Sequence, residues 1–106
     1  MKKAQIKEMV RGWFVGGFEP AAFNTQACEV GVKHYKVGDE EAAHYHKIAT
    51  EVTLVLTGSV SMRGHIWSAG DIVVLEPGDI TAFKALTDAT TVVVKVPGVL
   101  NDKYLV

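Results

Sequence analysis

The stretch HYHKIATE, residues 44–51, holds two imidazoles and a carboxylate: His44, His46 and Glu51. Of the four histidines in the chain, two fall in this window. Imidazole is the commonest nitrogen ligand of transition metals. Two imidazoles with one carboxylate form the set used by non-haem iron sites, and zinc accepts it as well. Imidazole also titrates near neutral pH, so the same residues suit general acid–base chemistry. The third possibility is a polar sheet surface with no chemistry at all. An HxH pair taken alone leaves all three open.

These side chains need a scaffold. Along a strand successive side chains alternate between faces, so His44 and His46 share one face and Tyr45 takes the other. Lys47 to Thr50 suffice for a tight connection, after which Glu51 opens the next strand and its carboxylate comes alongside both imidazoles. From Ala27 onward the pattern is β throughout: CEVGVKHYKV, AHYHK, EVTLVLT, SVSMR, HIW, IVVLE, ITAFKA and TTVVVKV. Gly38-Asp39, Gly58, Gly64, Gly70, Pro77-Gly78 and Asp88 punctuate these segments. About eight short strands with almost no helix predict an all-β sandwich or small barrel. Ahead of them, Ile6, Met9, Val10 and Trp13 fall at helical spacing and predict one short N-terminal helix within residues 2–11. The GWFVGGFEP that follows reads equally as an edge strand and a turn. In the tail PGVLNDKYLV, Leu100, Tyr104, Leu105 and Val106 call for burial on the barrel wall or on a partner chain.

Composition narrows the function classes. The chain has 106 residues, enough for a single domain spanning 1–106, and 48% of them are hydrophobic. Eleven basic residues nearly balance twelve acidic ones, which argues against electrostatic capture of nucleic acid or of an anionic membrane. No apolar run approaches the roughly 20 residues that span a bilayer. The charged start MKKAQIKEMVRGW does not read as a signal peptide. The single cysteine, Cys28, excludes an internal disulfide and fits a reducing compartment. Cytoplasmic location is therefore expected, with Cys28 as a small buried apolar residue.

The frame around the histidines is more specific than the histidines themselves. Gly38, His44, His46, Glu51 and Gly58 occupy the signature positions of a motif that resembles the first motif of the cupin superfamily, over residues 38–58. The downstream GDIVVLEPGDITAF resembles the second cupin motif, over residues 70–85, with Gly70, Pro77 and Gly78 in place. It departs from that pattern at Glu76, where proline is usual, and at Ala85, which replaces the terminal asparagine. It also departs at Thr81, where a fourth metal ligand, a histidine, is expected. The resemblance implies a small antiparallel β-barrel or jelly roll, commonly homodimeric, with a site inside its mouth. It also implies His44, His46 and Glu51 as ligands of one divalent metal ion (iron, manganese, nickel or zinc), with the fourth position open.

Other residues are expected around that site. Thr53, sharing the parity of Glu51, projects into the barrel with Thr57. Phe83 and Thr81 are candidates to line a pocket, with Met62, Trp67 and Tyr35 as lining or plain core. His34, in phase with Val30 and Val32, either faces the pocket or caps the sheet edge. His65, in a hairpin turn after Gly64, is expected in solvent, and Lys47 in an exposed turn. AHYHK is also similar to a stretch of cupin-type nucleotide-sugar ketoisomerases, in which a histidine pair acts as acid and base. The functional expectation is a metal-binding cupin holding a small polar molecule, such as a sugar derivative, with oxygenase-type chemistry as one outcome. The alternatives are a metal-independent nucleotide-sugar isomerase or epimerase, and a non-catalytic small-molecule binding domain.

Overall fold

The computed structural model describes all 106 residues. After a single 3-10 turn at Ile6–Glu8 the chain is built from strands: β1 (Trp13–Gly16), β2 (Phe23–Asn24), β3 (Glu29–Tyr35), β4 (Glu40–Tyr45), β5 (Thr50–Thr57), β6 (Ser59–Met62), β7 (His65–Ser68), β8 (Ile72–Leu75), β9 (Thr81–Ala85), β10 (Ala89–Val96) and β11 (Tyr104–Leu105). They form two facing sheets, ordered β2-β1-β3-β10-β5-β8 and β11-β4-β9-β6-β7, antiparallel except for the β1–β2 pair. No helix is long and apolar enough to cross a membrane.

The N-terminal helix expected within residues 2–11 does not form. Ile6 and Val10 stay exposed, and Trp13 opens β1 instead of closing a helix. Gly12 stands at φ +83° with its Cα against the Val32 carbonyl, where a Cβ would overlap backbone. The sequence at 11–12 therefore turns the chain onto β3 where a helix would have run on.

Three turns are built alike. In KVGD, SAGD and EPGD the glycines, Gly38, Gly70 and Gly78, hold the positive φ that a type II turn requires at its third residue. The aspartate that follows accepts from the backbone N–H three residues earlier: Asp39 from Lys36 at 2.8 Å, Asp71 from Ser68 at 2.8 Å, Asp79 from Glu76 at 2.9 Å. These turns fix the hairpin registers and hence which side chains face inward.

Inward-facing residues change character along each strand. On β5 the inward row runs Glu51, Thr53, Val55; on β9 it runs Thr81, Phe83, Ala85; on β10 it runs Lys95, Val93, Thr91, Ala89. At one end, Val55, Val60, Met62, Val73, Leu75, Phe83, Ala85 and Ala89 close into an apolar core. Burying each of these larger side chains stabilises the fold by about 1.5–3 kcal/mol. At the other end the barrel stays open and polar, so the core anchors one half of each strand and leaves the other half free to line a cavity.

Candidate functional site

The open end encloses a cavity of about 460 Å³. His44, His46, Glu51, Thr53, Thr81 and Phe83 all line it and are all buried. His44 and Thr81 face each other across the β4–β9 register, so Thr81 does stand beside the histidine pair. Its hydroxyl is turned away, however, and donates to the Ala82 carbonyl at 2.8 Å. His34 lies outside. It is exposed and contacts Thr90 Oγ1 at 3.1 Å, because Val30 and Val32, with which it is in phase, point away from the cavity. His65 is also exposed, packed edge-on to Trp67. Thr57 is exposed at the end of β5, and Cys28 is half-buried, less sequestered than its type leads one to expect.

The two imidazoles are held in one tautomeric sense. His44 Nδ1 lies 3.0 Å from the Ala42 carbonyl and His46 Nδ1 2.8 Å from the Asp102 carbonyl. A carbonyl only accepts, so each Nδ1 carries the proton and each Nε2 is left for the cavity. The rings stand edge to face, 5.5 Å between centroids. His46 Nε2 lies 3.4 Å from Glu51 Oε1, and Thr53 Oγ1 donates to Glu51 Oε2 at 3.2 Å. That carboxylate, helped by the Asp102 carbonyl, raises the His46 pKa against the opposing effect of burial. Burial by itself would raise the Glu51 pKa, but the His46 contact, the Lys95 charge and the Thr53 hydroxyl hold it below the ordinary value.

The donor chemistry suits a divalent ion: two imidazoles with Nδ1 anchored on carbonyls and one carboxylate, all facing one cavity. The set does not stand as a finished cage. No three His, Cys, Asp or Glu side chains gather closely enough to hold an ion between them; Glu51 meets His46 at 3.4 Å.

The C-terminal segment completes the site, and nothing in the local sequence near the histidines announces it. Leu105 pairs with His44 and Tyr104 with Tyr45, adding β11 to the edge of β4. The buried Asp102 carboxylate accepts from three consecutive backbone N–H groups of the β4–β5 turn, Lys47 at 3.1 Å, Ile48 at 3.1 Å and Ala49 at 2.9 Å. Burial would raise the Asp102 pKa, but these three donors outweigh it and hold the carboxyl below its ordinary value. Lys47 is exposed and its ammonium sits over the Tyr104 ring, 4.1 Å from the centroid.

Strand β3 turns an unexpectedly polar face inward. Glu29, Lys33 and Tyr35 line the cavity, and Lys95 stands in register between Glu29 and Glu51 across β3, β10 and β5. Tyr35 donates to Glu41 Oε1 at 3.1 Å, and burial followed by the Glu41 charge pushes its phenol pKa up. Trp13 covers Gly31, where a Cβ would come 2.7 Å from the indole, so the missing side chain lets the ring lie against the sheet. The strand's own alternation could have flagged this face: Glu29, Lys33 and Tyr35 share one parity, while Val30 and Val32 share the other.

No family model and no curated protein matches the chain. Solved structures do. An uncharacterized conserved protein with a double-stranded β-helix domain from Klebsiella pneumoniae is 27% identical, over 76% of this chain and 71% of its own, with a TM-score of 0.69. A cupin-2 domain containing protein from Shewanella frigidimarina is 16% identical, over 71% and 76%, with a TM-score of 0.58. The DMSP lyase DddQ from Ruegeria pomeroyi is 19% identical, over 98% of this chain but 56% of its own, with a TM-score of 0.72. The neighbours thus include an enzyme alongside proteins described by domain alone, and the fold is what they share with this chain. Its fold is that of the cupins, the double-stranded β-helix.

Proposed function

We propose that this chain is a small metal-binding cupin that holds a polar small molecule in its barrel, with His44, His46 and Glu51 as the ligands of one divalent ion. The observation that carries this reading is the pair of Nδ1–carbonyl hydrogen bonds at 3.0 and 2.8 Å, which leave both Nε2 atoms for the cavity beside Glu51. Ligating histidines are fixed in this way by a carbonyl or carboxylate on the far nitrogen. A bound ion supplies Lewis acidity and orients its ligand. The chain's own residues do the rest. Thr53 fixes the Glu51 carboxylate, Asp102 fixes His46 and the turn behind it, and Phe83 with Met62 closes the cavity toward the apolar core. Metal content after purification without chelator tests this. Near-stoichiometric metal in the native chain, absent from a folded His46→Ala variant, supports the assignment; metal retained in that variant contradicts it.

The His46–Glu51 contact at 3.4 Å favours a second reading, in which the pair moves protons without metal. Turnover of a keto-sugar nucleotide in the presence of a chelator would select it. Tight ligand binding with no turnover would select a binding domain.

A second copy of this chain is the partner we propose. On the outer face of the larger sheet two apolar rows run in register across four strands, Val30–Val94–Val52–Val74 and Val32–Val92–Leu54–Ile72. Ile72 and Val74 are 60% and 54% exposed, and no charge interrupts the eight positions. An uncharged face that matches itself suits an isologous, sheet-on-sheet dimer.

A further inference from the structure

The cavity mouth carries a cluster of cations that the metal reading leaves unused. Arg11, Lys33, Lys95 and Lys103 all line the cavity, and none of them forms an ion pair. Lys33 and Lys95 converge on one indole, their ammonium nitrogens 5.3 and 4.9 Å from the Trp13 ring centroid. Lys33 donates to the Arg11 carbonyl at 3.0 Å, which ties β3 to the turn that carries Arg11.

Four carboxylates line the same cavity and offset its charge as a whole, but none of them comes within ion-pair distance of these four cations. The Asp102 carboxylate is taken up by three backbone N–H groups, Glu41 by the Tyr35 hydroxyl, and Glu51 by His46 and Thr53. Glu29 stands beside Lys95, and burial raises its pKa and so disfavours its charge. Lys33 is half-buried; burial lowers its pKa, Glu41 opposes this, and Arg11, Lys95 and Lys103 lower it further. Like charges held together at a partly desolvated site are unfavourable unless an anion joins them. A second, independent feature lies deeper in the same cavity. Thr91 is 1% exposed, and its hydroxyl lies beside the Tyr35 phenol without closing a hydrogen bond to it, since that phenol donates to Glu41; buried hydroxyls rarely stay unpaired in this way.

We propose that the cavity binds a small organic oxyanion, a carboxylate or a phosphate ester. Its anionic group sits against Lys33, Lys103 and Arg11 over the Trp13 ring, and its polar body reaches Thr91 and the His44–His46–Glu51 wall. This rests on reading the cavity as a small-molecule site and not on the metal. Ammonium and guanidinium groups form charge-assisted hydrogen bonds with either oxyanion, and the indole face keeps both lysines turned to the mouth.

The test uses the full chain, stripped of metal with chelator and desalted into low-chloride buffer. Malonate and inorganic phosphate serve as probes and malonamide as the uncharged control. Trp13 and Trp67 give separate indole N–H signals in one nitrogen–proton NMR spectrum, so each titration carries its own internal reference. The expected result is a saturable shift of the Trp13 signal with malonate or phosphate, none with malonamide, and no movement of Trp67. Whichever of the two binds more tightly tells carboxylate from phosphate. Lys33→Met and the exposed Lys103→Met should each weaken binding, the former by about tenfold or more. Lys36→Met, off the cavity, should not weaken it. No saturable shift, equal shifts at both indoles, or native affinity in both Lys33→Met and Lys103→Met would overturn the proposal.

Discussion

The main-chain carbonyl of Asp102 accepts the His46 Nδ1 proton at 2.8 Å while the carboxylate of the same residue caps three N–H groups of the adjoining turn. One residue, 56 positions away in sequence, therefore sets both the orientation of an imidazole and the shape of the loop behind it. Asp102→Ala leaves three N–H groups of the turn, that of Ala49 buried, without their acceptor. It should cost about 3 kcal/mol, since hydrogen bonds to a charged group are each worth about 1.5–3 and do not add fully. Thermal melting measures the loss. A slowly exchanging His46 Nδ1–H resonance should vanish in Asp102→Ala and persist in Asp102→Asn, which keeps an acceptor oxygen.

The His46–Glu51 pair predicts a pH window. His46 has its pKa raised in the fold, so its contribution to stability is complete below the unfolded value of 6.5 and is lost as pH rises through the folded value. Glu51 has its pKa lowered, so its contribution is complete above 4.5 and is lost as pH falls through the folded value. In metal-free protein the stability difference between the native chain and Glu51→Gln should be largest between these two pH values. It should shrink as pH rises past the His46 titration, and a difference that keeps growing toward alkaline pH would refute the pairing.

Thr81 marks where a fourth ligand would stand. It is buried, lines the cavity and faces His44 across the register. Thr81→His should tighten divalent metal binding by about tenfold or more, as gaining a ligand does in such centres. Competition against a coloured chelator reads the affinity.

The outer valine rows predict the oligomeric state. Val74 is 54% exposed in one protomer, so Val74→Lys leaves the protomer's own core untouched. It should turn a dimer into a monomer by light scattering, with the melting transition becoming independent of protein concentration.

Much of this site was legible in the sequence, and the failures have physical causes. Gly–Asp turns and alternation marked strands β3 to β10, and the HxH parity put His44 and His46 on one face, because turn chemistry and a period of two are local properties. Of the two alternatives for His34, the pocket one fails because apolar neighbours do not mark the inside of this strand. On β3 the inside is the polar cavity, and Val30 and Val32 form the outer face. Trp13 falls in helical phase in the sequence, but the Arg11–Gly12 turn, with both residues at positive φ, ends that periodicity. Asp102 carried no local signal at all, because its partners belong to a hairpin some fifty residues earlier.

The most direct test of the central claim is a histidine-selective nitrogen NMR titration of chelator-stripped protein with zinc. The four histidines provide their own controls, since His44 and His46 face the cavity while His34 and His65 are exposed outside it. The expected result is that the Nε2 signals of His44 and His46 shift together at one equivalent of zinc while those of His34 and His65 stay put. Signals from His44 and His46 that remain unmoved at saturating zinc, or that move no more than those of His34 and His65, would contradict the metal site.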